Sequence, residues 1–202
     1  DHVSTDCAVE DGHIRWSRHA TGVPWDHGMF RYWTIHASPL PELESHLTSW
    51  VQRHVPGYTG MMNFETIGGV IIEAHLRFAD QWCDLYGERW VESLVQLYTT
   101  GRWAFEDHDR GDGFSVPLFA RHGTAYHHPP VGLQAEVRAM PQVNSLQITF
   151  HEAKPPEDHA MPPGGFRLAV INATALEAAA TARRTLASAY PPRLILNQDE
   201  RV

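Results

Sequence analysis

The stretch Asn-Phe-Glu-Thr-Ile-Gly-Gly-Val-Ile-Ile-Glu-Ala-His-Leu-Arg, residues 63–77, restricts the local fold more than any other part of this chain. Phe64, Thr66, Val70 and Ile72 alternate around Glu65 and Glu73, and Gly68-Gly69 supplies the tight two-residue turn that joins antiparallel strands. Successive side chains of a strand point to opposite faces. Strict alternation on the return strand therefore sets Ile71, Glu73, His75 and Arg77 on one face and Val70, Ile72, Ala74 and Leu76 on the other. The second set reads as a core face, the first as a polar row.

Two carboxylates brought together repel one another unless a cation lies between them or one is protonated. Mg²⁺ takes oxygen ligands and is usually held by one or two carboxylates together with substrate phosphates. Arg77 offers a planar fork that matches a phosphate or a carboxylate. The row is thus suited to Mg²⁺ and a phosphorylated substrate. A solvated strand face with a cross-strand ion pair fits the same pattern.

Flanking segments supply an order of elements. Residues 2–9 and 13–16, joined by Glu10-Asp11-Gly12, read as strand, turn, strand, with His2, Ser4 and Asp6 sharing one face. Leu43, Leu47, Trp50 and Val51 recur at helical spacing within 40–54, where Pro41 and the acidic pair Glu42 and Glu44 suit a helix start. A second helix is expected at about 87–100, with Trp90, Leu94, Leu97 and Tyr98 on one face. Strands are expected at 114–120, 143–150 and 164–173. Pro117 assigns the first of these to an edge or a bulge. A helix at about 174–190 follows, with Leu176, Ala179, Ala180 and Leu186 inward and Thr174-Ala-Leu-Glu177 as a capping box.

A Glu, a hairpin turn, and an apolar run ending in Glu-x-His-x-Arg resemble the metal-binding signature of ATP-grasp ligases, which ends in Glu-x-Asn-x-Arg. The resemblance implies an α+β fold, the C-terminal lobe of an ATP-grasp domain, built as an antiparallel sheet with flanking helices and a small C-terminal sub-lobe. It divides the chain into 1–105, which carries the hairpin, and 106–202. It implies Glu65 and Glu73 as ligands of Mg²⁺, or of Mn²⁺, and Arg77 as a catalytic contact to the reacting phosphate and to ATP. His75 stands where the family has Asn and is assigned a catalytic hydrogen bond to phosphate or substrate. His2, on the opening strand, is assigned to the nucleotide. The implied reaction activates a carboxylate as an acyl phosphate and passes it to an amine, or to a thiol. Its partners are small-molecule acids and amines and an upstream lobe carrying the lysines that hold ATP, because Lys154 is the sole lysine here. The chain alone is then expected to be inactive or weakly active. The alternative is a degenerate, non-catalytic ligand-binding or structural module.

Composition sets the outer limits. A chain of 202 residues with 43% hydrophobic and 20% charged residues can bury an ordinary globular core. No apolar run approaches the roughly 18 residues of a membrane span. A net charge of −8 with no basic cluster argues against nucleic-acid binding. Two cysteines, Cys7 and Cys83, are too few for a disulfide framework, so a reducing cytoplasm is the expected setting. Among the 14 histidines, His122, His127, His128, His151 and His159 with Glu152 make a weaker metal candidate, with none of the usual zinc spacings. His19, His27 and His36, with Trp25, Phe30 and nearby glycines, read as a surface loop; Asp80 and Trp25 are candidates for the substrate pocket.

Overall fold

The computed structural model describes residues 1–158 and 162–197. In chain order it contains β1 (His2–Glu10), β2 (His13–Pro24), β3 (Phe30–Ile35), α1 (Pro41–His54), β4 (Gly60–Ile67), β5 (Val70–His75) and α2 (Trp90–Thr100). Then follow β6 (Gly113–Ala120), α3 (Val131–Arg138), β7 (Val143–Ile148), β8 (Phe166–Ala173) and α4 (Leu176–Ala187). The fold is α+β, the pairs β1–β2, β1–β4, β4–β5, β6–β8 and β7–β8 are antiparallel, and no helix among the described residues is long and apolar enough to cross a membrane. Two compact units are present: Asp1–Gly22 with Ile35–Asp112, and Val23–Thr34 with Gly113–Val202.

In the first unit the strands lie in the order β5-β4-β1-β2. One sheet face packs on α1 through Cys7, Val9, Met62 and Phe64 against Leu47 and Val51. Pro41 stands at the first helical position, and no side chain caps that end. On the other face Trp16 meets Tyr86 at 4.9 Å and Trp90 at 5.9 Å, with Trp103 and Phe105 closing an aromatic cluster. Arg18 is buried on this face, donating from Nη2 to the Gly111 carbonyl at 2.6 Å. That aromatic cover lies toward the Ala8–Trp16 end of the strands and leaves the His2 end to polar side chains.

The second unit orders its strands β3-β6-β8-β7, with α3 and α4 contributing Val137, Ala179, Ala182 and Leu186 to its core. Here several expectations change. Pro117 sits inside, because β6 lies between β3 and β8, and the irregularity falls one step on, between Leu118 and Phe119. The Pro117 carbonyl accepts from Asn197 Nδ2 at 2.9 Å. The capping box does not form: α4 starts from Ala175 without a side-chain cap, and Glu177 pairs with Arg184 at 2.9 Å. Most of the stretch expected as a loop is strand, in β2 and β3, and α3 was not anticipated, its eight residues being too short to show a clear period. In the first unit, Tyr98 is 57% exposed, and its hydroxyl accepts from the Met61 amide at 3.1 Å.

Candidate metal centre

The hairpin begins from its turn. Gly68 and Gly69 have φ of 58° and 82°, the two left-handed positions of a type I′ turn, so Ile67 pairs with Val70. From there the register is Thr66 with Ile71, then Glu65 with Glu73, Phe64 with Ala74 and Asn63 with His75. Ile72 is the extra residue of a β-bulge. The bulge breaks strict alternation. Ile71 turns toward the α1 core beside Phe64, and Glu73 and His75 emerge on the opposite face with Glu65. Ile71 therefore does not share a face with Glu73, contrary to the alternation expected from sequence. Val70, Ile72 and Leu76 are not a core face either: they are 67%, 48% and 62% exposed, on or just past the outermost strand of the unit.

β1 adds the rest of the polar row. Ser4 lies opposite Glu65, and His2 Nε2 donates to Glu65 Oε2 at 2.9 Å. His75 Nε2 donates to Glu73 Oε2 at 2.9 Å. One ligand atom each from Glu65, Glu73 and His75 lie within 4.8 Å of one another, the one such group among the described residues. Arg77 lies beyond the end of β5 at His75, and its guanidinium donates to the Phe78 carbonyl at 3.1 Å.

Beneath the row lies a buried network that sequence reading touched only at Ser4 and Asp6. The Asp6 carboxylate accepts from Asn63 Nδ2 at 2.7 Å, the Ala79 amide at 2.9 and 3.0 Å, and the Tyr86 hydroxyl at 2.6 Å. Asn63 also donates to Ser4 Oγ at 2.9 Å, and Trp82 Nε1 to the Tyr86 hydroxyl at 2.9 Å. Burial raises the Asp6 carboxyl to about 6 against the pull of these donors and of Arg77. Burial and the neighbouring Asp6 push the Tyr86 phenol well up. The network ties the loop after the hairpin to β1, and so holds the base of the β4–β5 row. The shared parity of Ser4 and Asp6 was the only sequence signal for it; its partners stand tens of residues away.

The other sequence candidates go elsewhere. His19 is buried in β2, not in a loop, hydrogen-bonded to Thr5 Oγ1 and Glu44 Oε1 at 2.9 Å each, with burial lowering its affinity for a proton. His128 hydrogen-bonds the Phe150 carbonyl, and its amide donates to Glu152. His159 lies outside the described residues. Trp25 stacks near Phe119 at 6.4 Å, and Asp80 is exposed.

No family model and no curated protein matches this sequence. Solved structures do. The ATPase subunit of phosphoribosylaminoimidazole carboxylase from Aquifex aeolicus superposes with a TM-score of 0.59 at 14% identity, over 92% of this chain and 55% of that one. Phosphoribosylamine–glycine ligase from Thermotoga maritima gives 0.58 at 14% identity, over 98% and 55%. N5-carboxyaminoimidazole synthase from Aspergillus clavatus, solved with ADP and an aminoimidazole ribonucleotide, gives 0.54 at 12% identity, over 93% and 50%. These are ATP-grasp ligases, and the chain has their fold over a partial lobe. It spans about half the length of the solved proteins it resembles.

Proposed function

We propose that this chain is the metal-holding lobe of an ATP-dependent ligase that joins a carboxylate to an amine, or to a thiol, through an acyl phosphate. The observation that carries this reading is the pairing of Glu65 with Glu73 across a hairpin whose ligand atoms, with those of His75, gather within 4.8 Å. The likeness of fold to ATP-grasp ligases supports the reaction class, and the half-length coverage supports a second lobe as the source of the remaining ATP contacts.

The donor set fits a divalent ion. Two carboxylates suit Mg²⁺ or Mn²⁺, and like charges opposed on neighbouring strands destabilise a sheet unless neutralised. Such an ion supplies charge neutralisation on a transferring phosphoryl group. Glu65 and Glu73 hold the ion, and His2, which hydrogen-bonds Glu65, is the candidate contact to the nucleotide. His75 offers a hydrogen bond to phosphate or substrate. Arg77, exposed on the loop beyond β5, swings to the acyl phosphate and stabilises its negative charge. Asp80 and Trp25 are candidates for contacts to the acid or amine. A reducing cytoplasm suits the two free cysteines.

Isothermal titration of MgATP into the wild-type chain and into Glu73→Ala tests this placement. Binding by the wild type that disappears in the variant supports it. Equal binding by both removes the nucleotide–metal site from the hairpin.

A further inference from the structure

We propose that the centre binds its ion through nitrogen as well as oxygen, with His75 as a direct ligand and His2 orienting Glu65, and that it therefore prefers Mn²⁺ to Mg²⁺. This rests on the metal-centre reading above and replaces the hydrogen-bonding role given there to His75 with direct ligation.

Geometry is the first argument. His75 Nε2 and Glu73 Oε2 stand 2.9 Å apart. Two adjacent ligands of an octahedral ion with bonds of about 2.1 Å are separated by about 3.0 Å. The 2.9 Å contact is now a hydrogen bond donated by Nε2; with the proton on Nδ1 instead, the same two atoms would span one edge of a coordination polyhedron. Glu65 completes a group within 4.8 Å, where opposite ligands at such bond lengths stand about 4.2 Å apart, a difference within the reach of a Glu side-chain adjustment.

Donor chemistry is the second. Mg²⁺ gives up water reluctantly and takes oxygen, whereas Mn²⁺, which also favours carboxylates, is the first member of the first-row series whose ions bind nitrogen as well as oxygen. A site with Nε2 on one of its edges discriminates against Mg²⁺ on those grounds. His2 plays a different part. It is not in the close group, and its Nε2 is committed to Glu65 Oε2 at 2.9 Å, on a side chain only 17% exposed. That is the place of an outer hydrogen bond that orients a ligating carboxylate.

The test adds Mn²⁺ alone to the chain and reads binding by the loss of the free-ion electron paramagnetic resonance signal. Nitrogen coordination is read by electron spin echo modulation. The wild type is expected to bind Mn²⁺, to resist displacement by equimolar Mg²⁺ and to show coupling to one imidazole nitrogen. His75→Asn is expected to lose the coupling. His2→Ala is expected to keep it while binding Mn²⁺ about 10–100-fold more weakly. Mn²⁺ binding that requires Glu73 but shows no nitrogen coupling, or that yields to equimolar Mg²⁺, overturns the inference and leaves the metal centre standing. Absence of Mn²⁺ binding, or binding unchanged in Glu73→Ala, overturns both.

Discussion

Asp6 is a carboxylate with full hydrogen bonding and almost no water, 1% exposed beneath the polar row. Desolvation outweighs its donors and lifts its pKa from 3.8 to about 6. A carboxyl whose native pKa lies above its unfolded one stabilises the fold fully below the unfolded value and loses that contribution as pH rises through the native value. The interval from 3.8 to about 6 corresponds to about 3 kcal/mol. Urea unfolding of the wild type and Asp6→Asn should therefore show the wild type losing about that much relative to the variant between pH 4 and 7. A constant difference across this range would mean that Asp6 ionises in the fold as freely as in the unfolded chain. Tyr86→Phe removes a hydrogen bond that favours the ionised form. Its expected effect is to move the same loss of stability to higher pH, seen in the same unfolding series.

The hairpin shows where sequence periodicity is informative and where it stops. The turn, both strands and the placement of Glu73 and His75 beside Glu65 were legible, because glycine pairs and alternation are local signals. The bulge at Ile72 was not. It inserts one residue into a ladder, and nothing in an Ile-Ile dipeptide distinguishes a bulged residue from a paired one. For the same reason the exposure of Val70, Ile72 and Leu76 was hidden: an apolar residue on an outer strand reads the same as one under a helix. Buried hydrogen-bonding such as that between Asp6, Asn63, Ala79 and Tyr86 was illegible because its members meet only through tertiary packing. Since the turn sets the register that opposes Glu65 to Glu73, strain there should reach the candidate metal site. Gly69, at φ 82°, has open space around it, so Gly69→Ala meets no clash and carries only the backbone cost of a left-handed non-glycine residue, about 1–2 kcal/mol. The variant should unfold at lower urea and bind Mn²⁺ more weakly, whereas Gly68→Asn, the residue such turns favour, should leave both nearly unchanged. Equal effects from the two substitutions would exclude the type I′ turn.

At the scale of the whole chain, a ligand that binds only the folded state adds stability of RT ln(1 + [L]/Kd), about 2.7 kcal/mol at 100 times Kd. Glu65, Glu73 and His75 are distributed over two strands, so their grouping exists only when β4 and β5 are paired. The unfolded chain can compete for the ion, because it has 14 histidines and two cysteines, and such competition lowers the gain. The comparison that isolates the native site is therefore wild type against Glu73→Ala, which share every other ligand. Tryptophan emission suits the measurement: Trp16, Trp50, Trp82, Trp90 and Trp103, five of the seven, belong to the unit that carries the hairpin. With Mn²⁺ at about 100 times its Kd, the wild type is expected to gain up to about 2.7 kcal/mol in urea unfolding followed by that emission. Glu73→Ala should gain nothing. A gain of the same size in both proteins would place the ion on some other group of histidines and carboxylates, and the paired glutamates would then be an ordinary polar strand face.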